Sequence, residues 1–277
     1  RVSTRLAHDV RGARAVPFGR RVALTFGPAG THERVPAVLL LPDGASMART
    51  VPGALLLHGF TSRKEQMADM VGVTLLQHGI ASLAIDLPLH GERITEGNAV
   101  EWGGAPGYER RFDRAAMGRN PIALAGAWRT AQREARLALG FFGARPEFDL
   151  YRLGVVGYSM GSFLGVLVAA EEPRARAMVL AAGGDLPEGT PFASVIRALA
   201  DPRRAVKRFD GRPLLMVHGR RDPTVTPAQA QRLFDAAEEP KELRWYEAGH
   251  YLPPRAIEEA AGWLRGRLGA RARESTG

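Results

Sequence analysis

The chain has 277 residues, 45% of them hydrophobic, enough apolar material for one large α/β domain or two smaller ones. Its formal charge of +9 invites a nucleic-acid reading, but the basic residues are scattered along the chain. Only 203–208 forms a basic cluster, and no zinc or RNA-binding motif accompanies it, so no nucleic-acid partner is expected. The absence of cysteine excludes disulfides, thiol catalysis and thiolate metal sites, and no apolar run approaches the roughly 18–20 residues of a membrane span. A soluble protein is expected. The cytoplasm is favoured, although a chain that begins at Arg1 is also compatible with a removed leader.

In chain order, strand-like runs at 21–26 and 35–41, joined across Gly27-Pro28-Ala29-Gly30, predict a hairpin at the antiparallel edge of a sheet. A buried strand at 53–57 follows, then helix over 65–78, strand over 81–86, helix over 121–142 and strand over 151–157. Helix over 159–171, strands over 175–181 and 213–218, helix over 227–237, strand over 242–247 and helix over 254–268 complete the series. Pro121, Pro227 and Pro254 fall in first helical turns, where a missing N–H is harmless. Strands alternating with helices imply a mainly parallel, twisted sheet covered on both faces. No repeat or long polar linker divides the sequence, so a single domain over 1–277 is expected.

Gly157-Tyr158-Ser159-Met160-Gly161 lies between the 151–157 strand and the 159–171 helix. A serine at such a turn, with glycines two residues to each side, is pushed toward φ > 0 and presents its hydroxyl above the sheet. The helix behind it offers free N–H groups to an anion. A serine nucleophile needs a base, and the base needs an orienting acid. In the order serine, acid, histidine, only His218 and His250 lie downstream. His218 closes a strand and is followed by Asp222 in the next loop, whereas His250 sits in a loop after the 242–247 strand. Ser159, Asp222 and His250 therefore all follow strand ends, where open α/β sheets build their sites. Asp185 also directly follows a core strand and is the rival acid; His218 is read as an anchor for the Asp222 loop. Acyl transfer puts charge on a carbonyl oxygen, which requires two preorganised N–H donors. Met160, the residue after the serine, supplies one.

From about Val16 to Leu268 the chain resembles the α/β-hydrolase superfamily, and within it the bacterial carboxylesterases and dienelactone-hydrolase-like proteins. The resemblance rests on His58-Gly59-Phe60-Thr61, Asp86-Leu87-Pro88-Leu89-His90-Gly91, 157–161, His218-Gly219-Arg220-Arg221-Asp222 and Gly249-His250. It implies the α/β-hydrolase fold, with helices on both faces of the sheet and cap or lid insertions. In its pattern the second oxyanion donor is the N–H of Phe60, and Asp86 and His90 belong to a structural turn. Dienelactone hydrolases proper carry a cysteine nucleophile; serine here points to ordinary ester hydrolysis.

The implied activity is a serine carboxylesterase acting on small-to-medium, fairly apolar esters through an acyl-enzyme, without cofactor or metal. A peptidase or amidase, or an acyltransferase or perhydrolase, would use the same three residues. A non-catalytic binding protein on this fold would typically have lost one of them. Segments 90–120 and 183–210 follow strand ends on the same side and are candidate lids. Trp102, Tyr108, Phe112, Met160, Phe163, Leu186 and Tyr251 are candidates to line the substrate pocket.

Overall fold

The computed structural model describes residues 5–94, 99–100, 111–112, 121–186, 197 and 200–269. Strands β1 (Leu6–Val16), β2 (Gly19–Pro28) and β3 (Val35–Pro42) pair antiparallel in succession. β4 (Val51–Leu57) and β5 (Ala81–Ile85) are parallel to each other, and β5 meets β3 antiparallel. A separate two-residue ladder joins β6 (Ala99–Val100) and β7 (Arg111–Phe112). β8 (Phe148–Tyr158), β9 (Ala175–Ala181), β10 (Leu214–Gly219) and β11 (Lys241–Tyr246) extend the parallel part. Among the described residues the main sheet has nine strands in the order β1-β2-β3-β5-β4-β8-β9-β10-β11.

Parallel strands are covered on both faces, so their sequences read as unbroken apolar runs. β4 and β5 are buried at every residue. Alternate side chains then serve opposite layers. Leu55, Leu57, Leu83 and Val155 face a cluster with α3 (Pro121–Gly143) and α4 (Met160–Glu171), through residues such as Ala135, Leu139, Phe142 and Leu164. Leu56, Ala84 and Val156 face the other cluster, built from α1 (Lys64–Met67), a π-helical turn (Ala68–Gly72), α2 (Val73–Gln77) and α7 (Pro254–Gly269). Each large aliphatic side chain fully buried in these layers contributes roughly 1.5–3 kcal/mol.

Two shorter helices have clear start signals. α5 (Pro202–Lys207) is capped by Asp201, whose carboxylate accepts from the Arg203 and Arg204 N–H groups. α6 (Pro227–Ala236) opens with a capping box between Thr226 and Gln229. Pro121, Pro227 and Pro254 each begin a helix, as expected from the sequence.

The differences from the sequence-based expectation are local. β1 was not anticipated: its central residues are exposed, so it lacks the alternation that marks a half-buried strand, and a bulge falls between Val10 and Gly12. β2 runs on to Pro28, so the connection to β3 is later than Gly27. β8 begins at Phe148, three residues early, and α5 lies within the candidate lid segment 183–210, at the basic cluster, where no helix is expected from the sequence. Because β4, β5, β8, β9, β10 and β11 run the same way, the loops after all of them open at one edge of the sheet.

Candidate active site

Ser159 joins β8 to α4 with φ 53° and ψ −116°, a conformation that side-chain-bearing residues rarely adopt. Its neighbours make the turn possible. A Cβ on Gly157 would overlap the Gly161 backbone, and one on Gly161 would overlap the carbonyl oxygens of Leu57 and His58. The Ser159 N–H donates to the Ala181 carbonyl at 2.9 Å, fastening the turn to the end of β9.

Asp222 is held three residues past β10. Its buried carboxylate accepts from the Thr224 N–H (2.8 Å) and the Val225 N–H (3.0 Å) through Oδ1. Oδ2 faces the histidine loop. His218, fully buried at the end of β10, donates from Nε2 to the Val225 carbonyl at 2.8 Å and lies 3.6 Å from Asp222 Oδ2. Burial pushes the His218 imidazole below its ordinary value, against the upward pull of the Val225 bond and the Asp222 charge. A neutral ring that braces the Asp222 loop matches the anchoring role read from the sequence.

His250 closes the line. Its Nδ1–H donates to Asp222 Oδ2 at 2.8 Å, and its Nε2 accepts from the Ser159 hydroxyl at 2.9 Å. A carboxylate on one ring nitrogen fixes which nitrogen carries the proton and leaves the other free to accept. An alcohol in that position can lose its proton to the ring as it attacks an electrophilic carbon. The rival acid is elsewhere: Asp185 accepts from Arg197 (2.9 and 3.1 Å) and lies 3.4 Å from Arg232 Nε.

The loop after β4 faces Ser159 from the other side. A Cβ on Gly59 would stand 3.3 Å from Ser159 Cβ, so the backbone that carries Phe60 passes directly beside the hydroxyl. His58 shapes this loop: Nδ1–H donates to the Gly59 carbonyl at 2.8 Å and Nε2 accepts from the Leu87 N–H at 3.1 Å. Neither nitrogen is available to a substrate. Beneath it, the Lys64 ammonium, on a residue only 2% exposed, contacts Asp86 (2.8 Å), Glu65 (2.7 Å) and Glu92 (2.6 Å). Asp86 also accepts from the Lys64 and Glu92 backbone N–H groups, which confirms a structural part for the turn after β5. Lys64 was not singled out in the sequence, where one lysine carries no sign of burial.

Burial, with His90 adding to it, lowers the His58 pKa to about 3. The unfolded chain therefore binds a proton here from about pH 6.5 downward while the folded chain does not until about pH 3. Stability is predicted to fall as pH drops through that interval. Thermal melts of wild type and His58→Gln across the interval check this: the variant should lose less of its stability on acidification than the wild type does.

The remaining candidates divide. Met160 opens α4 next to Ser159, and Phe163 lies one turn further on, its ring 5.3 Å from that of Trp128. Leu186 is buried just beyond β9. Tyr251 is 86% exposed, with its ring edge-on to His250 at 5.9 Å. Trp102 and Tyr108 lie outside the described residues, as do large parts of both candidate lid segments, and of Phe112 only the backbone is described. Among the described residues there is no group of three or more His, Asp or Glu side chains placed to hold a metal ion. Nor is any described helix long and apolar enough to cross a membrane.

This topology is the α/β-hydrolase fold, and residues 150–260, which contain Ser159, Asp222 and His250, match the family model described as Serine hydrolase (FSH1). Over that part of the chain the sequence is similar to serine hydrolases. Acetyl xylan esterase 1 from a Thermoanaerobacterium species is similar over 97% of this chain and 89% of its own, with 21% identity and a TM-score of 0.70. The acetyl xylan esterase of a Paenibacillus species covers 95% of this chain and 88% of its own at 18% identity and a TM-score of 0.72. A cold-adapted esterase from an Arctic intertidal metagenomic library covers 93% and 98% at 21% identity and a TM-score of 0.67. At such identities the likeness is one of fold. No curated protein sequence matches the chain.

Proposed function

We propose that the chain is a serine carboxylesterase for small-to-medium, fairly apolar carboxylic esters, working through an acyl-enzyme. The observation that carries the reading is the continuous line of hydrogen bonds from Asp222 through His250 to the Ser159 hydroxyl. Ser159 Oγ attacks the ester carbonyl carbon as its proton passes to His250 Nε2, and the carbonyl π electrons move onto oxygen. The resulting oxyanion is held by the backbone N–H groups of Phe60 and Met160. Two features support that assignment: the 58–60 backbone runs beside Ser159, and α4 starts at Met160.

Collapse of the tetrahedral adduct breaks the bond to the alcohol oxygen, which takes the proton from His250 Nε2 and leaves. Water then repeats the sequence: it gives a proton to His250, attacks the acyl carbon, and the Ser159 oxygen leaves with that proton restored. Asp222 holds the ring in one tautomer and stabilises the cation that forms twice in each cycle. The aromatic pair Phe163 and Trp128 and the neighbouring Met160 support an apolar substrate. The printed names of the fold neighbours, acetyl xylan esterases and a cold-adapted esterase, point to ester chemistry as well.

A panel of p-nitrophenyl esters of rising acyl length, run beside a p-nitroanilide of the best acyl group, tests the reading. Ester cleavage should exceed anilide cleavage by several orders of magnitude, with a burst of p-nitrophenol equal to one per active site when deacylation limits. Comparable anilide turnover would move the assignment to an amidase.

A further inference from the structure

Tyr158 is the last residue of β8 and the immediate neighbour of Ser159, and nothing in its sequence position marks it for a role. Its side chain is only 7% exposed. The hydroxyl donates to the backbone carbonyl of His250 at 2.8 Å and accepts from the Leu252 N–H at 3.0 Å. The two rings also meet edge to face, 6.1 Å between centroids. A phenol has one proton to give and lone pairs to receive, so both capacities are used on one short piece of backbone.

That backbone needs such a tether. Residues 247–253 form no regular element between β11 and α7 and include Gly249 and Pro253. Upstream of His250, the loop is tied by the Arg221 N–H to the Ala248 carbonyl (3.0 Å) and by the Arg221 guanidinium to the Glu247 carbonyl (3.3 Å). Downstream, the Ala256 N–H binds the Pro253 carbonyl as α7 begins. Among the described residues, the backbone hydrogen bonds at positions 250 and 252 are those to Tyr158. Of the imidazole's two bonds, the one to Ser159 must break and reform during turnover, so the side chain is held lastingly by Asp222 alone and the backbone by Tyr158.

We infer that Tyr158 is a positioning residue: its hydroxyl locks the His250 loop to the strand end that carries Ser159, so that base and nucleophile are set against each other by one rigid ring. The inference rests on the triad proposed above. The geometry is direct, since residue 158 is covalently next to the nucleophile and hydrogen-bonded to the backbone of the base. Burial also raises the Tyr158 pKa above its ordinary value, so the phenol keeps its proton throughout the neutral range.

Tyr158→Phe removes both hydrogen bonds and keeps the ring. With p-nitrophenyl acetate as substrate, kcat per active site is expected to fall about tenfold, because small misplacements of reacting groups are expensive in rate. KM should stay within about twofold, since the hydroxyl lies on the loop backbone and not toward substrate. Active sites are counted by titration with a fluorophosphonate, and the rate of that labelling should fall with kcat, since it needs the same base. Replacing Tyr158 with p-aminophenylalanine, which restores a polar group at the para position, should recover most of the loss.

Unchanged kcat per titrated site in Tyr158→Phe would overturn the inference. So would a loss explained entirely by fewer titratable sites, which marks a packing role alone. If Tyr158→Phe does not fold, failure of the p-aminophenylalanine variant, once folded, to exceed one-tenth of wild-type kcat decides against it too. The triad proposal fails separately: wild-type protein that is not labelled at Ser159 refutes the triad whatever Tyr158→Phe does.

Discussion

Ser159→Ala is expected to lower ester turnover by about 10⁴-fold or more, with the melting temperature close to that of the wild type. The serine hydroxyl makes one contact of consequence, with His250 Nε2, and its removal leaves the turn, the helix and the core untouched. The residual rate should come from the oxyanion donors and from binding alone. Intact-mass analysis after fluorophosphonate treatment gives the second readout: one adduct on the wild type, mapped to Ser159, and none on the variant. An adduct at another serine, or a variant that retains full turnover, would falsify the nucleophile assignment.

Asp222→Asn is the second large effect, a fall of roughly 10³- to 10⁴-fold in kcat, because the ring then loses both its tautomer control and the charge that stabilises its cation. The buried loop should survive, since an amide oxygen can still accept from Thr224 and Val225 at Oδ1. Asp185→Asn is the matched control. Its carboxylate is engaged by Arg197 and lies near Arg232, so the substitution should disturb stability and leave kcat within a few-fold of wild type. If the two variants behaved the other way round, the acid would be misassigned while the class of enzyme stood.

Much of this site is legible in the sequence because its parts sit at strand ends, and buried parallel strands are conspicuous apolar runs. The 157–161 turn shows itself by glycines that the structure explains through contacts with β4 and with α4's first turn. His250 and Asp222 follow from chain order and loop position. What the sequence hides is of two kinds. β1 has no core side to create a pattern, so its exposed middle reads as loop. Lys64 and Tyr158 act through long side chains that reach across the fold to partners 22 and 92–94 residues away, and no local spacing signals such a reach.

The backbone of Ser159 also sets two demands on one position against each other. A left-handed conformation is tolerated most easily by glycine, so the residue that would relax the turn is the one that has no hydroxyl. Alanine retains the strain and loses the chemistry; glycine loses the chemistry and sheds the strain. Selection for folding alone would favour glycine at this position, so a serine there is what selection for turnover would be expected to keep. The fold thus carries a built-in penalty for activity, and a chain released from that second pressure has an easy path to a more stable, inert descendant.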